Sequence, residues 1–182
     1  FNPDPRDLWK DLPVPENTPF MKPNEECEFV LVPEFEGRPQ KDIVAASKRG
    51  RSHAQEGKPR DDHFKVSHNG ENGWYTIIVA DGAGSAKYSR KGSEIACTVA
   101  EDYCKTQLAE RAEAFENCVA DYVNDNSKEN IQRIATILRD IVVKAAFEAH
   151  KAIKAFVPQC ENAVVKDFST TLLIAVCKRF DF

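Results

Sequence analysis

Three carboxylates stand where chemistry could be done. Asp61 and Asp62 precede an alternating run at residues 63–67, and Asp81 follows the run WYTIIVA at residues 74–80. Asn69-Gly70-Glu71-Asn72-Gly73 lies between the runs, so residues 62–80 read as a β-hairpin. Antiparallel pairing would set the acidic pair at one strand end beside Asp81 at the other. Carboxylates gathered in this way raise one another's pKa unless a cation offsets them. Hard divalent ions such as Mg²⁺ and Mn²⁺ favour that oxygen ligation. Gly82-Ala83-Gly84-Ser85 comes next, and glycines there let the backbone turn sharply and bring a carbonyl up to an ion. An ordinary strand-end turn also uses Asp and Gly, so this dipeptide alone decides nothing.

The other reactive side chains read more plainly. His53, His63, His68 and His150 are scattered without metal-ligand spacing, although His63 adjoins the acidic pair. Ser85, Ser89 and Ser93 lie in no G-x-S-x-G elbow, which argues against a serine hydrolase. The six cysteines form no CxxC pair, so zinc-ribbon and thioredoxin-like readings fail. Cys97 and Cys104 fall on one helical face and read as core; free thiols and a reducing compartment are expected.

The elements that must position the carboxylates follow from periodicity. Residues 27–32 (CEFVLV) and 43–47 (IVAAS) are short β-prone runs, and 74–80 is the strongest strand signal. An apolar stripe through Ile95, Val99, Tyr103 and Leu108 then marks a helix. A second helix is expected from about Ser127, a plausible N-cap, to Phe156, with Pro158 after its end. The Lys/Glu mix at 105–116 reads as a solvated helix face. TTLLIAVC at 170–177 reads as a buried strand. Strands, two long helices and a strand again indicate an α+β fold, a layered antiparallel β-sandwich flanked by helices, rather than repeated βαβ units. Residues 1–26 hold six prolines and read as an irregular arm on which Trp9, Leu12, Phe20 and Met21 could act as anchors; the domain proper is expected over 27–182.

With 182 residues, 42% hydrophobic and 30% charged, the chain can bury one ordinary core and stay soluble. A net charge of -4 argues against a general nucleic-acid binder. No stretch reaches the roughly 18 apolar residues of a membrane span, and no basic-then-apolar signal opens the chain. A cytoplasmic location is expected. The chain opens on Phe1 rather than Met and stops just after the last strand, so a longer natural protein is expected.

One ordered set of motifs carries a resemblance. Gly50-Arg51, Arg60-Asp61-Asp62, the apolar strand, Asp81-Gly82-Ala83-Gly84-Ser85, Gly92-Ser93 and Ser169-Thr170-Thr171-Leu172-Leu173 occur in this sequence. Together they resemble the N-terminal half of the 2C-type metal-dependent serine/threonine protein phosphatases, in their bacterial branch, over residues 43–177. The resemblance implies hydrolysis of phosphoserine or phosphothreonine proteins by a metal-activated water, with two Mn²⁺ or Mg²⁺ ions and no phosphoenzyme. Asp81 resembles the carboxylate that bridges both ions, and Gly82 the residue whose carbonyl binds one. Asp61 and Asp62 resemble the acidic pair that ligates metal or orients its waters. Arg51 resembles the arginine that holds the substrate phosphate. An insertion near residues 53–59 separates Arg51 from the pair, which leaves Lys48 and Arg49 as rivals.

Two departures stand out. Ala83 occupies the place where some members carry a histidine, and the family's later aspartates have no counterpart here, since Asp181 lies in no matching motif. The implied partners are a phosphorylated protein and a cognate Ser/Thr kinase, with no nucleic acid and no membrane. The alternative is a non-catalytic member that uses the same fold to bind a partner. An aspartyl-phosphate hydrolase with Asp81 as nucleophile fits less well, because its second Asp would stand at Ala83.

Overall fold

The computed structural model describes residues 8–32, 34, 41–69 and 73–178. Gly70, Glu71 and Asn72 of the expected turn, and Asp181, lie outside them.

Among the described residues, five strands form two antiparallel sheets. β1 (Glu25–Val32) and β2 (Lys41–Lys48) pair with each other. β3 (His63–His68), β4 (Trp74–Ala80) and β5 (Leu173–Lys178) form the second sheet in the order β3-β4-β5. The expected hairpin is β3–β4. Gly73 takes a positive φ of 70° at the foot of β4, a conformation that costs glycine little.

Alternation along β4 builds two layers. Trp74, Thr76, Ile78 and Ala80 are buried on one face. Tyr75, Ile77 and Val79 point to the other. Thr76 sits opposite Ser67 and their hydroxyls hydrogen-bond at 2.7 Å, which satisfies both inside the sheet. β5 pairs with β4 alone and is an edge strand of the described sheet, with Leu173 exposed.

The buried face of the sheet meets helices. α1 (Arg51–Gln55) is a short turn; α2 (Ser89–Glu110) and α4 (Lys128–Phe156) are the two long helices expected. α2 packs on β3 and β4, and α4 packs on α2. Cys97, Ala100, Cys104 and Leu108 of α2 meet Ile134, Ile141 and Ala145 of α4 in one core with Trp74 and Ile78. Small residues on both helices allow close approach. Ser127 caps α4 by accepting from the Asn130 amide at 3.4 Å. All six cysteines are free, and Cys97 and Cys104 are buried as expected.

The sequence reading differs from the structure at one helix. Lys105, Glu110, Glu113 and Glu116 are exposed as expected, but residues 105–116 do not form one helix. α2 ends at Glu110, and a separate helix α3 (Ala112–Asn124) buries Phe115 and Cys118. The break at Arg111 carries neither Gly nor Pro, so no punctuation announced it. Phe115 tilts against Trp74 with ring centroids 4.7 Å apart, and α3 packs on α4.

The final strand also begins later than expected, at Leu173. A short 3₁₀ turn, Val165–Phe168, precedes it. Its Phe168 joins Tyr88, Ala96, Ala149 and Ile153 in a second core. Gly92 of α2 lies directly on this turn: a Cβ there would come within 2.0 Å of the Phe168 carbonyl oxygen. No side chain larger than hydrogen fits without moving helix or turn.

Candidate active site

The β3–β4 register pairs His63 with Ala80, and this sets Asp62 beside Asp81 at the same end of the sheet. Asp62 carries a carboxyl raised above its ordinary value. Burial is the first cause; a hydrogen bond with Asp81 and the like charges of Asp81 and Asp61 add to it, and Arg60 opposes it. The two strand-end carboxylates therefore meet, as the sequence reading required.

Asp81 is held through its backbone. Its carbonyl accepts from the Thr171 amide at 2.8 Å and from Thr170 Oγ1 at 2.9 Å. Its amide donates to Thr171 Oγ1 at 3.0 Å. The Ala83 amide donates to the Ser169 carbonyl at 3.0 Å, and Gly82 bridges to Thr170. The run Ser169-Thr170-Thr171 thus gains a role that its composition alone did not assign. It sews the Asp-Gly turn to the start of β5, leaving the Asp81 side chain exposed to the cleft. Gly82 is required by contact: a Cβ would lie 2.7 Å from the Asp61 carbonyl oxygen and 2.9 Å from Asp61 Cβ.

The acidic pair divides. Asp62 turns to Asp81, whereas the Asp61 carboxylate is buried and faces Arg90, with Nη1 to Oδ1 at 3.3 Å. His53 Nε2 stands 4.0 Å from Asp61 Oδ2. Ser93 Oγ donates to the Asp61 carbonyl at 2.5 Å. Asp61, Asp62, Asp81 and Gly82 nevertheless line one cleft of about 270 Å³, together with Lys48, Gly50, Ser52, His53, Arg60 and Gly84.

The candidate cations separate in the same way. Arg49 is buried and its guanidinium donates to the carbonyls of Lys58 (2.7 Å), Leu12 (2.7 Å) and His53 (3.1 Å). It fastens the 51–59 loop and the N-terminal arm. Lys48 lines the cleft and lies 3.3 Å from Glu25. Arg51 is exposed in the first turn of α1 and is not among the cleft-lining residues.

Other residues at the site gave little signal in the sequence. His53 read as scattered, yet the helical turn of α1 brings it in, and its Nδ1 lies 2.8 Å from the Pro59 carbonyl, which it contacts as a donor when that nitrogen bears the proton. Eight residues of separation from Asp61 suggest no contact until the loop is folded. Lys22 reaches in from the proline-rich arm, and Nζ donates to the Asp62 carbonyl at 3.0 Å and to Ser93 Oγ at 2.9 Å. Burial, then the nearby Arg60, push its pKa down to about 8. His63, also beside the pair, is pushed down to about 4, first by burial and then by Lys22.

Two abutting carboxylates at a cleft whose floor is glycine backbone fit a hard divalent ion by charge and donor type. They are a partial set: among the described residues no group of three or more His, Cys, Asp or Glu side chains is arranged to hold a metal.

Residues 49–181 match the family model for protein phosphatase 2C. The chain belongs to the protein phosphatase 2C family. Comparisons with curated proteins and with solved structures return no match. The match to the 2C family takes in the cleft from Arg49 through the acidic pair, the Asp-Gly turn and Thr170-Thr171. It leaves out the arm, β1 and β2. The mixed architecture with antiparallel sheets agrees with a phosphatase of this family. No helix among the described residues is long and apolar enough to cross a membrane.

Proposed function

We propose that this protein is a metal-dependent phosphomonoester hydrolase acting on phosphoserine and phosphothreonine proteins in the cytoplasm, opposite a cognate Ser/Thr kinase. The meeting of Asp62 and Asp81 carries the reading. Like charges brought together at a cleft are costly, and a cation between them removes that cost. Two Mn²⁺ or Mg²⁺ ions, when bound, would supply an activated water and neutralise phosphoryl charge.

The chain's own residues have separate tasks in this reading. Asp81 and Asp62 would hold the ions, and the Gly82 carbonyl would add a backbone oxygen. Asp61, buried against Arg90, would fix the peptide that carries Asp62 and contribute at second hand or through water. Thr170 and Thr171 prevent Asp81 from swinging away. Arg51 would bind the substrate phosphate from the rim, with Lys48 as the cation nearer the cleft. A point charge suits one phosphoryl oxygen and a guanidinium suits two.

The deciding experiment compares wild type with Asp81→Asn in the complete natural protein, using p-nitrophenyl phosphate and a phosphothreonine peptide with Mn²⁺. Turnover that needs Mn²⁺ and is lost in the variant supports the reading. Equal rates, or turnover that survives chelation, would sink it. Lys48→Ala and Arg51→Ala, assayed alongside, should raise KM more than they lower kcat. The incomplete ligand set among the described residues favours a second reading, a non-catalytic module that binds a partner. Phosphopeptide binding without turnover at any Mn²⁺ concentration would select it.

A further inference from the structure

Residues 19–22 of the arm lie outside the segment that matches the phosphatase family, yet they touch the acidic pair from behind. Phe20 inserts its ring between Tyr88 and Phe156, with centroids 5.7 and 5.8 Å away. Its φ is +54°, which is unfavourable for an aromatic residue and persists where packing holds it. Arg90 donates through Nε to the Pro19 carbonyl at 2.8 Å and through Nη1 to the Asp61 carboxylate, so one guanidinium joins arm and acidic pair. Three residues after Pro19, Lys22 Nζ bonds the Asp62 carbonyl and Ser93 Oγ, and that hydroxyl bonds the Asp61 carbonyl. Pro19 and Pro23 flank these residues and restrict the backbone that presents them.

An ammonium group drawn this far from water loses hydration, which its hydrogen bonds must offset. A loose tail would leave it in solvent. Both peptide carbonyls of the acidic pair are instead occupied by donors that do not line the cleft, and rotation of the Asp62 peptide would break the Lys22 bond. We propose that Lys22 is a positioning residue: the arm acts as a strap that fixes the Asp61–Asp62 backbone so that the Asp62 carboxyl faces Asp81. The inference rests on the phosphatase reading for its catalytic consequence and on geometry alone for the strap.

Lys22→Met keeps the stem and removes the donor; Lys22→Arg keeps a donor. The complete natural protein is compared in three forms, by amide hydrogen exchange and by Mn²⁺ titration of p-nitrophenyl phosphate turnover. Lys22→Met should speed exchange at residues 61–63 while α4 is unchanged. It should also raise the half-saturating Mn²⁺ concentration about tenfold, as loss of an outer support for a ligand does, with substrate KM unaltered. Lys22→Arg should recover part of both. If exchange at 61–63 in Lys22→Met equals wild type, or rises only in step with the whole chain, the strap is overturned. Should Lys22→Met fail to fold, Ser93→Ala is compared in its place, with the same outcomes. A wild type without Mn²⁺-dependent turnover would refute the phosphatase reading, and the exchange comparison would still decide the strap.

Discussion

Asp81 and Thr171 hold each other twice: the Asp81 amide donates to the Thr171 hydroxyl at 3.0 Å, and the Thr171 amide donates to the Asp81 carbonyl at 2.8 Å. The first of these bonds can be removed without changing shape. Thr171→Val should cost about 1 kcal/mol of stability, read from denaturant melts. Turnover should fall more than that loss implies, because the residue displaced is the central carboxylate. Unchanged kcat in a correctly folded variant would show that the Asp81 backbone needs no such clamp.

Asp81→Asn removes the charge and keeps the volume. Turnover in the presence of Mn²⁺ should drop by roughly two orders of magnitude, the usual scale for losing an electrostatic group at a reacting centre. Thermal stability without metal should hold or rise, since a repulsion with Asp62 disappears. Circular dichroism melts run beside the assay check that the loss is chemical.

Asp62 gives a prediction with a definite sign. Its folded carboxyl is raised above the ordinary 3.8, chiefly by burial. As pH rises the unfolded chain therefore ionises first, and this group's contribution to metal-free stability falls until the folded carboxyl has ionised too. Asp62→Asn removes that penalty near neutral pH, and Tm without metal should rise by roughly 1–2 °C. Mn²⁺ should stabilise wild type by mass action and the variant much less. Equal Mn²⁺ shifts in both would exclude Asp62 from the metal site.

Gly92→Ala should destabilise the protein by about 1–3 kcal/mol, the range for forced overpacking, because its Cβ would run into the Phe168 carbonyl. The displaced turn leads straight into Thr170 and Thr171. Activity should fall with stability, and a variant as stable as wild type would show that α2 and the turn separate easily.

The thiols should separate by environment. Burial pushes Cys97 up to about 12 and Cys104 up to about 11, so both are protonated as well as inaccessible at pH 8. Cys27 is exposed. Iodoacetamide followed by peptide mass mapping should label Cys27 first and reach Cys97 and Cys104 only in denaturant.

Much of this architecture was legible in the sequence because period and punctuation agree. WYTIIVA alternates cleanly between helices and open face, and Ser127 caps the helix it precedes. The Asp62–Asp81 meeting followed from hairpin pairing alone. Contacts that depend on tertiary placement were not legible. Nothing in the composition of residues 105–116 distinguishes one helix from two, because the break at Arg111 carries neither Gly nor Pro and the Phe115–Trp74 contact exists only in the folded chain. His53 enters the cleft only through the turn of α1. Lys22 lies among prolines, where a surface tail is the natural reading, and its contact with Ser93 spans 71 residues. The division of Asp61 from Asp62 depends on Arg90, whose position in the first turn of α2 looks like an ordinary exposed charge.

The long spans that assemble this cleft also fix when it can exist. Asp81 waits for Thr171, 90 residues further along, and Lys22 for Ser93. Closing loops of that length is slow and gains nothing until the distant contacts form. A nascent or partly folded chain would possess the hairpin but not the clamp, and so, under the proposed function, could neither grip a metal tightly nor act on a passing phosphate. In refolding, metal-dependent signals should appear after the far-ultraviolet signal of α2 and α4, which makes competence of the site a marker of finished folding.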